Sequence, residues 1–360
     1  RGLFVTGFRR VLFRSIRLID SSSQKSFNTG DAARDLKFKV NPTINDQGNL
    51  EITRSDATGE TPATYTPEFL WKHSLLANSL AEKFYPQDQI PWDKLTYAPF
   101  RVTFDQYLLN HKPVGNVGGF DATVNQLNVF GLSFITDIPR PSETIMSEEN
   151  WQIWPVAKLA QKFGYIKKTF YGTLFDVKNE NENAVNIANK STFLPLHMDL
   201  LYYESPPRLQ FLHFIDNSTT GGENIFADSF AAVKYVQGKD PEAYIALKEI
   251  PITYKYDNDG EYYYYARPLV VENPLTGELD HVNYSPPFQG PFELGIWGKN
   301  PKFEAFLRGL RLFEDFVNNS DNQYIIKNTE GAAVVFDNRR VLHSRNEFSD
   351  KNGGKRWLMG

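Results

Sequence analysis

The stretch that most restricts this chain is Leu194–Glu204, in which His197 and Asp199 stand two residues apart. On a β-strand alternate side chains share a face, so an imidazole and a carboxylate there project together and supply two legs of a metal site. A second histidine is needed to complete a facial triad, the donor set suited to non-haem Fe(II) with positions left open for substrate and O2. His343, within Val335–Arg345, is the best placed, and Arg356 follows it as a fixed bidentate donor for a carboxylate. A His-x-Asp tripeptide by itself is more often a surface pair on an edge strand. The distal histidine and the arginine behind it turn the balance toward the metal.

The remaining composition agrees with a folded enzyme. The 360 residues are 41% hydrophobic and 14% aromatic, enough for one large domain or two ordinary ones with a sizeable core. A net charge of −4 gives no basic excess for nucleic acid or an anionic membrane, and no apolar run is long enough to span a bilayer. With no cysteine there are no disulfides, no thiolate metal sites and no cysteine nucleophile. That composition is compatible with a reducing compartment, the cytoplasm or the mitochondrion.

Along the chain, residues 1–19 have neither an acidic residue nor an initiator Met. They read as an Arg-rich targeting segment or, the favoured reading, as non-native sequence from adapter read-through, and they are set aside from the fold. Residues 20–90 read as a small β-rich module. Leu36–Val40 and Leu50–Ile52 alternate as strands, and a helix opens at Pro67. Residues 91–360 read as the catalytic domain. Helices are expected over Phe120–Phe130, stopped at Gly131, and over residues 148–163, broken or restarted at Pro155. Asp228 caps a further helix, Pro241 starts another, and Phe303–Val317 has strong helical spacing. Strands are expected at Leu132–Ile135, Tyr165–Phe175, around His197, at Arg208–Phe214, as a hairpin about Asp257–Gly260, at Tyr324–Ile326 and at Ala332–Phe336. Many short strands with helices between them, and metal ligands on strands far apart in sequence, fit a double-sheet jelly roll. His73, His111, His213 and His281 read as packing or surface residues, and Tyr262–Tyr265 as strand packing.

Thr169–Gly172, Leu196–Asp199, Pro206–His213, Gly221–Phe230 and Phe336–Arg345 together resemble the γ-butyrobetaine dioxygenase family, fungal-type members in particular. That family groups with trimethyllysine dioxygenase in the taurine-dioxygenase-like superfamily, and the likeness covers roughly residues 35–360, with the motifs in the same order. It implies an Fe(II)- and 2-oxoglutarate-dependent dioxygenase that uses O2, with ascorbate as reductant. His197, Asp199 and His343 match the iron ligands. Arg356 matches the arginine that pairs with the distal carboxylate of 2-oxoglutarate, and Asn224 occupies a polar position beside that cosubstrate. Asn186 matches an asparagine that holds the substrate carboxylate. Tyr171 matches one wall of an aromatic cage for a trimethylammonium group.

The chain departs from that pattern in informative places. Phe175 stands where the cage has tryptophan, and Asn189 where it has tyrosine; cation–π attraction is best with Trp and absent with Asn. The cysteine-built zinc site of the family's N-terminal module has no counterpart, so no structural zinc is expected. Relatives continue past Gly360 through a further strand, so the chain reads as shortened there. The expected reaction is hydroxylation of a small carboxylate-bearing substrate of the γ-butyrobetaine kind, as in carnitine biosynthesis. Trimethyllysine and other amino or sulfonic acids are the alternatives, with a catalytically silent jelly-roll module behind them. The expected partner is a small molecule, with no nucleic acid or membrane, and a homodimer stays open.

Overall fold

The computed structural model describes residues 37–38, 41–56, 59–74, 89–109, 117–178, 190–258, 260–292 and 300–360. The chain divides into two compact units, Arg1–Gln87 and Asp88–Gly360. In the first, β1 (Lys37–Phe38), β2 (Thr43–Ile44), β3 (Leu50–Asp56) and β4 (Gly59–Tyr65) form an antiparallel sheet, with β3 pairing all three others. Helix α1 (Pro67–Ser74) follows, and Leu50 and Ile52 make a small core against Tyr65 and Leu70.

The second unit opens with β5 (Arg101–Thr103), α2 (Phe104–Leu109), α3 (Gly119–Phe130) and β6 (Leu132–Thr136). Gly131, at φ 74, ends α3 in the left-handed region that glycine adopts without cost. A turn of 3-10 helix at Trp151–Ile153 precedes α4 (Pro155–Gln161), so Pro155 restarts the helix at its first position. Then come β7 (Asp176–Lys178), β8 (Leu194–His197), β9 (Leu209–Asn217), β10 (Thr220–Gly221) and β11 (Asn224–Asp228). Asp228 caps α5 (Ser229–Lys239) by accepting from the Phe230 N–H, and Asp240 caps α6 (Pro241–Glu249). The hairpin β12 (Pro251–Asn258) and β13 (Glu261–Pro268) is followed by β14 (Val270–Glu272), β15 (Leu279–Val282) and α7 (Phe303–Val317). β16 (Gln323–Ile326), β17 (Ala332–Asp337), β18 (Val341–Arg345), β19 (Phe348–Ser349) and β20 (Arg356–Met359) complete it.

Two sheets carry the architecture, one in the order β5-β6-β17-β9-β20-β7 and one in the order β16-β11-β18-β8. Leu212, Phe214, Val334, Phe336 and Leu358 from the first meet Phe226 and Val341 from the second between them. The alternate residues of the first sheet, such as Phe211, Val335 and Met359, pack under α2–α4, and those of the second, such as Ile225 and Leu342, under α5–α7. Covered on both faces, β17 is apolar throughout Ala332–Phe336, as a doubly buried strand must be. This is the expected jelly roll with helices on its outer faces.

One expected strand is absent. Residues 165–175 lack a ladder, and Thr169 and Gly172 instead exchange backbone hydrogen bonds at 3.1 and 3.0 Å across a tight turn. Gly172, at φ 101, sits where a β-branched or aromatic residue would be strained, so the alternating Tyr and Phe pattern is broken from within.

His213 faces the helix-covered side of β9, fully buried, and neither ring nitrogen has a partner among the described residues. Burial pushes its pKa from 6.5 down to about 4. Above the upper value the ring is neutral folded and unfolded, so it adds no pH dependence. Between the two the unfolded chain takes up the proton and the folded chain does not, so stability falls as pH drops, by about 3 kcal/mol once both forms are past titration. Replacing His213 by Leu should remove that share of the acid sensitivity. Urea midpoints at about pH 7 and about pH 4.5 measure it, and equal shifts in both proteins would refute it.

Candidate metal centre and active site

β8 and β18 are antiparallel neighbours with His197 and His343 directly opposite, so the register itself sets the two imidazoles face to face, ring centroids 4.2 Å apart. Asp199 arrives differently from the strand alternation expected. β8 ends at His197, and the chain turns through Leu200 at φ 60, carrying the carboxylate back over the ring pair. Asp199 Oδ1 lies 3.3 Å from His197 Nε2, and Oδ2 lies 3.4 Å from His343 Nε2. The candidate donor atoms all fall within 4.8 Å of one another. The His197 Nδ1–H donates to the Pro195 carbonyl at 2.7 Å, which leaves the Nε2 lone pair aimed at the shared point.

The protonation states are those a cation requires. Burial works to raise the Asp199 pKa, yet the His343 and His197 imidazoles outweigh it and hold the carboxyl well below the usual carboxylate range. Burial, reinforced by the His197 ring, pushes the His343 pKa down. An anionic carboxylate and a neutral imidazole are the ligating forms.

Sequence reasoning missed the residues that orient Asp199. Asn338 clamps its backbone, accepting the Asp199 N–H at 2.9 Å and donating to its carbonyl at 3.0 Å. Gln210 Nε2 donates to Asp199 Oδ2 at 2.7 Å. A signal for Gln210 existed: it is polar on the inward face of β9, at the positions otherwise filled by Leu212 and Phe214. Partners of metal ligands typically cost about 10- to 100-fold in metal affinity when removed. Gln210→Leu should weaken metal binding by that factor in a calorimetric titration; an unchanged affinity would assign Gln210 to packing alone.

On the same sheet face, two residues on from His343, lies Arg345, and Asn224 is its register partner across on β11. The left-handed Gly221-Gly222 turn, at φ 76 and 73, lets the chain pass against Phe348 on its way into β11. Asn224 is buried and its Oδ1 accepts from Asn328 Nδ2 at 3.1 Å. From the other sheet Arg356 reaches the same place. The Arg345 and Arg356 guanidiniums lie 4.8 and 5.4 Å from the centre of the Phe348 ring. Arg356 is buried, its Nε has no partner, and no carboxylate is within ion-pair distance among the described residues. Burial and the Arg345 charge push the Arg356 pKa down to about 9, and burial brings Arg345 to about 10, so both stay cationic at neutral pH. Lys327, itself partly desolvated, feels the Glu223 carboxylate and, to a smaller extent, the Arg356 charge. A buried guanidinium such as Arg356, with no carboxylate at ion-pair distance among the described residues, is suited to an anion.

A cavity of about 810 Å³ opens on His197, Asp199 and Gln210. Tyr171, Phe175, Tyr202, Tyr256 and Phe288 line it, together with Lys167, Arg208 and Arg339. The Tyr171 hydroxyl bonds to those of Tyr202 and Tyr256. Of the residues expected to touch substrate, Tyr171 and Phe175 are here, their rings 6.2 Å apart, whereas Asn186 and Asn189 lie outside the described residues, as does His111.

Residues 116–360 match the model of the taurine catabolism dioxygenase TauD, TfdA family. The chain belongs to that family. It is 34% identical to the dioxygenase str8 of Strobilurus tenacellus, covering 94% of this chain and 77% of that protein. It is 26% identical to a γ-butyrobetaine dioxygenase of a Pseudomonas species, strain AK-1, covering 92% of this chain and 80% of that one. The fold resembles the crystal structure of AAD-2 in complex with Mn(II) and N-oxalylglycine, with a TM-score of 0.51 at 16% identity over 75% of this chain and 95% of that one. The protein is thus an Fe(II)- and 2-oxoglutarate-dependent dioxygenase. The residues fit both groups: two imidazoles and a carboxylate converge in ligating forms, and a buried arginine without a counter-ion suits a dicarboxylate.

Proposed function

We propose that this dioxygenase hydroxylates a small carboxylate-bearing substrate of the γ-butyrobetaine kind. In this reading His197, Asp199 and His343 hold the iron, while Arg356 binds the distal carboxylate of 2-oxoglutarate with Asn224 beside it. The observation that supports the substrate class is the cavity beside His197 and Asp199, where aromatic walls and cationic side chains occur together. The faces of Tyr171, Phe175, Tyr202 and Tyr256 attract a quaternary ammonium, and a guanidinium or ammonium takes the carboxylate. Bound iron and 2-oxoglutarate supply the oxidising equivalent from O2 that places a hydroxyl on an unactivated carbon, with succinate and carbon dioxide as co-products. The chain's own part is position and exclusion of water. Asn338 fixes the Asp199 backbone and Gln210 its carboxylate, and the aromatic walls keep the reacting carbon in an apolar enclosure.

Succinate release with Fe(II), ascorbate and 2-oxoglutarate tests this over a panel of γ-butyrobetaine, trimethyllysine, amino acids and sulfonates. Stimulation by the carboxylate-bearing betaine and formation of its hydroxylated product are expected. A panel in which no carboxylate stimulates release would overturn the substrate class.

A further inference from the structure

The cavity cations are not equivalent. Lys167 donates its ammonium to the Ser205 carbonyl, and Arg208 is ion-paired with Asp337 at 3.0 Å. The Arg339 guanidinium has no hydrogen-bond or ion-pair partner among the described residues, although it lines the cavity. The nearest carboxylate in sequence, Asp337, is already engaged by the Arg208 side chain and by the Arg339 backbone N–H. Arg339 also lies near other basic groups. Arg267, whose guanidinium donates to the Tyr203 and Glu204 carbonyls, and His281 both feel its positive charge, and the Asp280 carboxylate is taken up at 2.6 Å by His281. A cation that lines a cavity and has no partner among the described residues is a place for an anion.

The backbone of Arg339 is also tied to the reacting centre. Its N–H donates to Asp337 Oδ1 at 3.0 Å, and its carbonyl accepts the Val282 N–H at 2.9 Å. The residue before it, Asn338, is the clamp on Asp199. The turn from β17 to β18 therefore carries, side by side, the residue that fixes the Asp199 backbone and a cavity-lining arginine whose guanidinium has no partner among the described residues. From this we infer that Arg339 is the specificity-determining anchor for the substrate carboxylate, and that its fixed distance from Asp199 selects which carbon along the substrate is presented for reaction. The inference rests on the proposed hydroxylase reading and adds to it the residue that chooses among acids.

The test uses full-length protein loaded with Mn(II) and N-oxalylglycine, so that binding is read without turnover. Each acid of a panel (γ-butyrobetaine, trimethyllysine and unbranched amino acids) is titrated calorimetrically beside its own primary amide. Because hydrogen bonds to charged groups are worth about 10- to 100-fold in affinity, the wild type should favour at least one acid over its amide by that factor. Arg339→Gln should bring the acid-to-amide ratio near unity, and Arg339→Lys should restore part of it. A purely structural role would weaken acid and amide alike and leave the ratio intact, which would overturn the assignment. So would a wild type that binds no acid better than its amide. The two readings fail separately: neutral compounds that stimulate succinate release sink the anchor but keep the hydroxylase, and an absence of stimulated release by anything in the panel sinks both.

Discussion

His197→Ala should abolish succinate formation and metal retention together. The imidazole is one of only three donors that converge here among the described residues, and its Nδ1 bond to the Pro195 carbonyl already fixes the ring for ligation. Loss of a residue that merely supports a ligand costs about 10- to 100-fold in metal affinity, so loss of a ligand should exceed that. A second effect adds to the first. Without His197 the Asp199 carboxyl loses one of the two imidazoles that hold its pKa down, while the desolvation that raises it remains. The carboxylate then becomes harder to keep ionised, and a second donor weakens. Metal content after dialysis and succinate release are the measurements. A variant that kept bound Fe(II) and turned over at the wild-type rate would remove the triad from the chemistry.

Arg356→Met should give two changes of opposite sign. Hydrogen bonds to a charged partner are worth about 1.5–3 kcal/mol each, so losing a bidentate guanidinium should raise the KM for 2-oxoglutarate by about 100-fold or more. The unliganded protein, by contrast, should become more stable. Arg356 is a buried cation beside Arg345, with no carboxylate at ion-pair distance among the described residues, so its charge is held at a cost. Exchange of such a group for an apolar side chain of similar length removes that desolvation cost from the unliganded protein. Thermal melts with and without 2-oxoglutarate separate the two. The wild type should melt lower alone and rise with cosubstrate, by about 2.7 kcal/mol of stabilisation at a hundredfold excess over Kd, while the variant should start higher and hardly respond. A variant that still responded to 2-oxoglutarate as the wild type does would assign the distal carboxylate elsewhere, with Arg345 the next candidate.

The Arg345 and Arg356 arrangement also explains why one residue was easier to read than the other. Arg356 could be picked out by its distance from His343 and by resemblance. Arg345 reads from sequence as either structural or a support for the cosubstrate pocket, and its place beside Arg356 emerges only when β18 of one sheet and β20 of the other both bring a guanidinium to Phe348. The same holds for the aromatic walls. Tyr171 and Phe175 were legible in a motif, but Tyr202, Tyr256 and Phe288 belong to segments that meet only in the folded cavity.

What the sequence determined by itself was whatever depends on neighbours a few residues away. The alternation in β9, the apolar run of β17, the helical spacing of α7, the Asp228 cap, the helix start at Pro241 and the stop at Gly131 are set by side-chain period and backbone preference, and each formed where it was expected. The identity of His197, Asp199 and His343 as a donor set was also in the residue types and their order. What only the tertiary structure decided was how those donors converge. Asp199 lies past the end of its strand; Asn338, 139 residues away in sequence, holds its backbone, and Gln210 holds its carboxylate. The turn at Thr169–Gly172 replaced an expected strand because a glycine at positive φ broke the run. Local preferences fix elements. The direction in which a buried polar group points is fixed by the partner that satisfies it, and that partner is chosen by the fold.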